Sequence, residues 1–182
     1  MDERTVASLE DDGTKLIRRT LADDGTFPNN ERLPLLLYKG ALRLPEQDPA
    51  ATVESVFAAH GWGGSWRNGV YSYHHYHSTA HEVLGVYSGT AQVQFGGPEG
   101  VVLEVAPGDV VLIPAGVAHR NVGSSADFRV VGAYPHGQRP DVNDGREGER
   151  PGTDERIARV PRPQADPAYG KDGPLREQWP GV

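Results

Sequence analysis

The feature that most constrains the fold of this chain is a series of short β-rich segments between residues 69 and 134. Glycine-centred turns separate these segments, which are residues 70–77, 82–87, 91–95, 101–105, 110–113, 119–122 and 128–134. Short strands at such regular spacing predict an all-β sandwich or barrel. The connections are too short to hold crossover helices, so we expect the strands to pair antiparallel throughout.

A chain of 182 residues is long enough for one domain, and the pattern divides it into three stretches. Residues 69–135 are predicted to form the core of the barrel. Residues 1–68 should add strands and one helix that pack on it, and residues 136–182 should form a linker and an extended C-terminal arm.

Before the barrel core, the sequence predicts two strands and an aromatic connector. Residues 15–21 are typical of a strand. Residues 33–44 are apolar but contain Pro34, which favours an edge strand because proline cannot donate to a ladder. Further on, Trp62 and Trp66 lie in a glycine-rich stretch, and we expect them to close one end of the barrel, with stacking on a ligand as the alternative.

One helix is predicted between these segments. Asp48 can accept hydrogen bonds as an N-cap, and Pro49 suits the first helical position. Val53 and Phe57 follow at helical spacing, and Gly61 supplies a stop signal.

After residue 134 the composition shifts to proline, glycine and charged residues. Residues 141–154 therefore read as a mobile linker, and residues 157–160 as one further strand. Residues 161–182 form an arm that can be ordered only by lying on the barrel or on a partner subunit.

Composition and charge exclude several classes of function. The formal net charge of -7 disfavours nucleic acid and anionic membranes as partners, because both bind basic surfaces. No apolar run approaches the roughly 20 residues of a membrane helix. The acidic start has no apolar segment of the secretory type, so we expect a cytoplasmic protein. Without cysteine, any transition-metal site must use His, Asp and Glu.

Four of the seven histidines lie between residues 74 and 81. In an extended segment, His75 and His77 point to one side together with Tyr73, while His74 points to the other. Two imidazoles two residues apart on one face can both reach one cation. Tyr73 can line a cavity beside them or be an ordinary core aromatic, and both alternatives remain open.

A carboxylate and a third imidazole complete the candidate site. A short turn places Glu82 back beside the histidine pair, and His119 follows a tight turn at residues 114–118 that leads into another strand. Three neutral imidazoles and one carboxylate suit a divalent Fe, Mn, Ni, Zn or Cu ion. Such a ligand set leaves positions open for water, dioxygen or a chelating substrate.

The same residues resemble the two sequence motifs of the cupin superfamily. The first motif, G-x5-H-x-H-x3,4-E-x6-G, is matched at Gly69, His75, His77, Glu82 and Gly89. The second, G-x5-P-x-G-x2-H-x3-N, is matched at Gly108, Pro114, Gly116 and His119, but its final asparagine is displaced. Asn121 lies nearer to His119 than the motif requires, and we expect it to share the inward face and orient that imidazole.

Over its whole length the chain also resembles the bacterial stand-alone cupins of the YjlB-like group. The segments that carry this likeness are Asp23-Asp24-Gly25, Pro28-Asn29-Asn30, Leu35-Leu36-Leu37-Tyr38, His75-Tyr76-His77-Ser78 and Asp166-Pro167-Ala168-Tyr169-Gly170. The resemblance implies a single antiparallel jelly-roll barrel with one bound divalent metal ion. It also implies a small-molecule ligand and a homodimer.

Three functions fit these expectations. The first is a metal-dependent enzyme of the dioxygenase or isomerase type that acts on a small polar molecule, with Glu82 as catalytic base. The second is a non-catalytic, metal-dependent binding or sensing protein. The third, a purely structural role like that of seed storage cupins, is the weakest. His74 and His81 are interpreted either as substrate contacts or proton shuttles, or as locally hydrogen-bonded residues.

Overall fold

The computed structural model describes residues 5–8 and 14–181. The acidic start at residues 1–4, which bears on the secretory prediction, lies outside this part of the chain. The strands are β1 (Lys15–Leu21), β2 (Asn30–Lys39), β3 (Trp62–Asn68), β4 (Glu82–Ser88), β5 (Ala91–Phe95), β6 (Val101–Val105), β7 (Val110–Ile113), β8 (His119–Ser124) and β9 (Arg129–Pro135). The helices are α1 (Pro49–Ala59), α2 (Gly152–Arg159) and α3 (Leu175–Gln178).

The strands form two sheets in which every described pairing is antiparallel, as expected. The larger sheet has the order β1-β2-β7-β4-β9-β3, and the smaller has the order β6-β5-β8. This arrangement confirms an all-β jelly-roll fold with few short helices. None of the helices in the described part of the chain is long and apolar enough to cross a bilayer.

The central part of the larger sheet is buried on both faces, which explains the unbroken apolar run in β2. Leu35 and Leu37 point into the space between the sheets, where they pack with residues of the smaller sheet. Leu36 and Tyr38 point the opposite way and pack under α1 and the C-terminal arm. A strand covered on both sides shows no polar alternation.

The prediction of an edge strand here is wrong, because β2 lies between β1 and β7. Pro34 is tolerated inside the sheet because it falls where the register of β1 against β2 shifts, between the pairs Arg19–Leu35 and Leu21–Asn30. At such an irregularity a missing N–H group breaks no regular ladder.

Helix α1 matches its prediction. The Asp48 carboxylate accepts a hydrogen bond from the Ala51 backbone N–H at 3.2 Å. Val53 and Phe57 are buried against β4, where a Cβ on Gly85 would lie only 2.4 Å from Val53 Cγ1. Glycine at this position therefore allows the helix to pack directly on the sheet.

Two segments near the barrel mouth differ from prediction. Trp62 and Trp66 lie in strand β3, paired with β9, rather than in a connector. Residues 70–77 form no continuous strand, since only isolated bridges join His75 to His119 and Tyr76 to Asn143. Because His75 and Tyr76 pair with two different segments, the bridges do not continue as a ladder. The segment itself remains locally extended.

The prediction of a mobile linker at residues 141–154 is also wrong. The backbones of Tyr76 and Asn143 exchange two hydrogen bonds of 2.9 and 3.0 Å, and the Tyr76 hydroxyl donates to Glu149 at 2.9 Å. The strand predicted at residues 157–160 falls mostly within α2. Acidic residues in the first turn of α2 and arginines in its last turn complement the helix dipole.

The C-terminal arm lies on the barrel of its own chain, one of the two placements predicted for it. The Tyr38 hydroxyl donates to the Asp166 carboxylate at 2.6 Å. Trp179 Nε1 donates to the Pro34 carbonyl oxygen at 2.8 Å, and the Trp179 side chain is buried in the core beneath the larger sheet.

Replacing Trp179 with alanine should therefore destabilise the whole barrel. The loss of a buried aromatic ring lowers the free energy of unfolding by about 3–5 kcal/mol, measured by urea denaturation. Glu177→Ala, an exposed change in α3 two residues before Trp179, should alter it by less than about 0.5 kcal/mol. If both substitutions lowered the free energy of unfolding equally, the arm would not be part of the hydrophobic core.

Candidate metal centre

Two reciprocal backbone hydrogen bonds bring the imidazoles of His75 and His119 together. His75 N donates to His119 O at 3.2 Å, and His119 N donates to His75 O at 2.9 Å. Because directly opposed residues share a face, their ring centroids lie 4.1 Å apart. Two residues far apart in sequence thus meet at the start of β8.

A glycine turn and a strand start position the remaining two side chains. Gly116 N donates to His77 O at 2.8 Å, and Gly116 has φ of +95°. A Cβ there would lie 2.3 Å from Asn29 O, so the turn requires glycine. Glu82 opens β4 opposite Ile113, directly across from the start of the same turn.

The four predicted ligands meet inside the barrel and are all buried. Nitrogen atoms of His75, His77 and His119 lie within 4.8 Å of one another. Glu82 Oε2 lies 3.3 Å from His77 Nε2 and 3.2 Å from His119 Nε2. Among the described residues, neither Glu82 Oε2 nor His77 Nε2 has a hydrogen bond of acceptable geometry despite these short separations.

Backbone carbonyl groups set the orientation of all three imidazoles. The Nδ1 atoms of His75 and His119 lie 3.3 and 3.1 Å from the carbonyl oxygens of Tyr73 and Val117. His77 Nδ1 makes a short contact with the carbonyl oxygen of Asp141. A carbonyl oxygen can only accept, so each Nδ1 carries a proton and each neutral ring keeps its Nε2 lone pair free. This is the arrangement that metal-binding histidines need.

Burial and mutual contact shift the pKa values of these groups in different directions. Burial, together with the neighbouring imidazoles, lowers the pKa of His75 to about 3. Burial alone would also lower the pKa of His77, but Glu82 raises it to about 8. Burial would raise the pKa of Glu82, whereas His77 and His119 together hold it well below its usual range, so the carboxylate stays ionised.

The cluster forms the floor of a cavity of about 310 Å³. Its wall is mainly apolar and aromatic, and the wall residues include Trp66, Val70, Tyr71, Leu84, Tyr134 and Val142. A cavity at the small end of the range of ligand sites, with few polar groups, suits a small molecule.

Tyr134 is a site residue that sequence reasoning missed, and it is paired with Trp66, which lines the same cavity. Trp66 Nε1 donates to the Tyr134 hydroxyl at 2.8 Å. Burial, and then the charge of Glu82, raises the pKa of Tyr134 well above its ordinary range, so the hydroxyl remains a donor facing the carboxylate. The alternation of β9 makes Tyr134 a strand residue, but nothing in the sequence shows that it reaches Glu82.

Asp141 was also missed, because it lies in the stretch interpreted as a linker. Its carboxylate accepts from the backbone N–H groups of Ser78 and Thr79 at 2.6 and 3.2 Å, while its carbonyl oxygen contacts His77. One residue therefore holds both the turn after His77 and the imidazole itself. No sequence signal of which we are aware identifies this contact.

The two remaining predicted site residues lie at the margin of the cluster. Tyr73 is 47% exposed and stacks on Tyr71 with ring centroids 4.9 Å apart, and it is Tyr71 that lines the cavity. The Asn121 amide donates to Ser124 Oγ at 2.9 Å, and Val117 rather than Asn121 contacts His119 Nδ1. Ligand contact by Tyr73 and orientation of His119 by Asn121 stay predictions.

His81 and His74 face away from this cavity. His81 is buried, accepts from the Ala115 backbone N–H through Nδ1 at 2.9 Å, and lines a second cavity. Burial and the nearby Arg162 lower the pKa of His81 to about 3. His74 packs against the ring of Phe27.

Comparison with known proteins agrees with the fold and the cluster. Residues 66–131 match the family model of the cupin domain. The chain is 42% identical over 157 residues to the "Uncharacterized protein YjlB" of Bacillus subtilis (strain 168), which covers 86% of this chain and 92% of that protein.

Solved structures show a weaker likeness. Procruciferin, an 11S globulin from Brassica napus, aligns with a TM-score of 0.36 and 17% identity over 79% of this chain and 30% of its own. A mutant of Bacillus subtilis oxalate decarboxylase aligns with a TM-score of 0.34 and 14% identity over 76% of this chain and 29% of its own. This chain thus spans about a third of their length, and scores this low support no conclusion about function.

Two antiparallel sheets around a buried histidine cluster, together with the domain match, define a cupin. Within that superfamily the chain belongs to the YjlB-like cupins, because its identity to that relative extends over most of both proteins.

The opposite pKa shifts of two neighbouring histidines can be tested in the metal-free protein. As the pH falls through about 8, His77 should gain a proton, while His75 should stay neutral with its hydrogen on Nδ1 until the pH approaches about 3. Long-range 1H–15N NMR spectra report both the protonation state and the tautomer. Titration of His75 near the ordinary value of 6.5, or a hydrogen on its Nε2, would contradict the geometry.

Proposed function

We propose that this cupin binds one divalent transition-metal ion through His75, His77, Glu82 and His119. The observation that carries the proposal is that all three Nδ1 atoms face carbonyl oxygens, which directs the three Nε2 atoms, the positions that a metal would take, towards an ionised carboxylate. Buried lone pairs without hydrogen-bond donors are costly unless a cation satisfies them. The chain has no cysteine, and no further acidic group from residues 5–8 or 14–181 lines this cavity, so the donor set is three nitrogens and one carboxylate.

This donor set is compatible with Fe(II), Mn(II), Ni(II), Cu(II) or Zn(II). When bound, such an ion supplies Lewis-acid polarisation of a ligand oxygen or a shared site for substrate and dioxygen. The protein residues supply the remaining functions: positioning, exclusion of water and proton transfer.

The cavity favours a small polar molecule as substrate. Arg67, the one arginine of the described residues that lines it, is held by Glu54 through two hydrogen bonds of 2.9 and 2.8 Å, so its charge is already paired. A substrate would therefore be anchored by its oxygen atoms at the metal and packed against the aromatic wall. Chemistry of the dioxygenase or isomerase type fits this arrangement.

In a catalytic cycle, Glu82 and Tyr134 would handle protons. Among the described residues Glu82 is the only carboxylate that lines the cavity, and it would act as base after partial release from the metal. Tyr134, held by Trp66, would keep a hydroxyl donor directed at the same carboxylate. The two side chains would thus form one proton-transfer pair.

One observation favours the alternative, a non-catalytic metal-dependent binding or sensing protein. The lowered pKa of Glu82 makes it a better ligand than base, because a strongly stabilised carboxylate accepts protons poorly. The barrel would then hold a metal and a small molecule without changing the latter.

The metal site itself is tested by elemental analysis and by titration of metal into stripped protein. The native chain should bind one ion per chain, and His119→Ala should lose most of it. Asp141→Ala should weaken binding by about 10–100-fold, because it loosens the support of His77 rather than removing a ligand.

Asp144→Ala is the matched control, since Asp144 pairs with Arg146 at the surface and contacts none of the four ligands. It should bind metal like the native chain. Native-like metal affinity in correctly folded His119→Ala protein, checked by near-UV circular dichroism, would refute the site.

The catalytic role of Glu82 is tested by Glu82→Gln, with Glu104→Gln on exposed β6 as control. Oxygen uptake and product formation are first screened over a metabolite panel with the metal-loaded native protein. Iron with oxygen uptake identifies a dioxygenase, whereas turnover without uptake identifies isomerase-type chemistry. Because Glu82 is also a proposed ligand, Glu82→Gln is assayed with enough metal to keep it loaded, checked by elemental analysis, and should then lose turnover. Unchanged turnover would eliminate Glu82 as base, and substrate binding without turnover in the native protein would favour the sensing function.

The homodimer implied by the cupin resemblance stays a prediction. The C-terminal arm, for which the barrel and a partner subunit were the two predicted placements, packs on its own barrel.

A further inference from the structure

A second cavity, of about 580 Å³, lies between the start of β2 and helix α2. None of its lining residues also lines the metal cavity. His81 and Arg162 contribute polar groups to it, and Leu33, Ile157 and Val160 contribute apolar surface.

The hydrogen bond of His81 fixes which of its nitrogens carries the proton. Nδ1 accepts from the Ala115 backbone N–H at 2.9 Å, so it must keep its lone pair. The ring is therefore neutral, with its single hydrogen on Nε2. His81 is only 1% exposed, and its Nε2 atom has no hydrogen-bond partner among the described residues. It is thus a buried donor that requires an acceptor.

Arg162 offers a second donor of the same kind. Its Nη1 atom is buried and likewise lacks a partner in the described part of the chain. A guanidinium can only donate, so this side chain adds both an unmet N–H group and a positive charge. Both residues line this cavity, although Arg162 lines two neighbouring cavities as well, and their unpaired donors call for a ligand that carries acceptor oxygens.

Charged groups of both signs surround the cavity. Asp23 and Asp154 line it, and both are held by Arg150, which donates to them at 2.8 and 2.9 Å. Glu31 and Arg32 are exposed neighbours of opposite sign. With Arg162 counted, the carboxylates and guanidinium groups balance, so it is the unmet N–H groups of His81 and Arg162 that favour an acceptor ligand.

We propose that this cavity binds a small organic carboxylate. One oxygen accepts from His81 Nε2–H and the other from Arg162, while the aliphatic part packs on Leu33 and Ile157. Planar carboxylates are well suited to a guanidinium because the two groups can form directed, charge-assisted hydrogen bonds. His81 precedes Glu82 in the chain, so the carboxylate site and the metal centre share one segment of backbone.

The first test examines the His81 tautomer without any ligand. Long-range 1H–15N NMR of the full chain should show a neutral His81 with its hydrogen on Nε2. A hydrogen on Nδ1 would remove the unpaired donor and overturn the proposal.

The second test is titration with sodium butyrate, with acetate and chloride as comparison anions. Butyrate should saturably shift the His81 Nε2 and Ile157 methyl signals in both metal-free and metal-loaded protein. Arg162→Gln should weaken binding by about tenfold or more, and His81→Gln should weaken it as well. Arg159→Gln, an exposed change that removes the same charge from α2, should leave it unchanged.

Several results would overturn the assignment. Chloride that binds as tightly as butyrate would indicate a simple anion site. Equal binding by native and Arg162→Gln protein, or binding seen only when metal is loaded, would place butyrate elsewhere. Because the metal-free titration is independent of the metal centre, failure here leaves the proposed metal function intact, and failure of metal binding leaves this site intact.

Discussion

The hydrogen bonds between imidazole Nδ1 atoms and backbone carbonyl oxygens are the interactions on which the site depends. They come from three different parts of the chain, at Tyr73, Val117 and Asp141. A carbonyl oxygen is a fixed acceptor and cannot reorient as a side chain can, so each ring keeps one tautomer and one direction. The backbone of the barrel thereby sets the donor geometry before any ion arrives, which lowers the cost of binding it.

That backbone is in turn held by the part of the chain beyond the barrel. The segment after β9 returns across the mouth, where Asp141 holds His77 and Asn143 pairs with Tyr76. The arm then covers the outer face of the larger sheet with Trp179 and Leu175. Support of the metal centre and stability of the core are therefore coupled through residues 136–181. A substitution that destabilises the arm would therefore also disturb the geometry of the site.

The segment around Glu82 links two cavities with opposite requirements. On one side, Glu82 and its histidine neighbours present lone pairs and negative charge, which suit a cation. On the other side, His81 and Arg162 present donors and positive charge, which suit an anion. Because adjacent residues of an extended chain point to opposite faces, His81 and Glu82 serve two different cavities although they are neighbours in the sequence.

The sequence by itself determined the jelly-roll strands, helix α1 and the four buried candidate ligands, because period-2 alternation and motif spacing are local properties of the chain. It could not show that β2 is internal, that residues 141–154 dock on the barrel, or that Tyr134 reaches Glu82. Those outcomes depend on contacts between residues tens of positions apart, whose energies come from burial and hydrogen bonding in three dimensions. Only the tertiary structure decided them. A segment rich in proline, glycine and charged residues has the same composition whether it is a free linker or packs on a barrel that satisfies its polar groups.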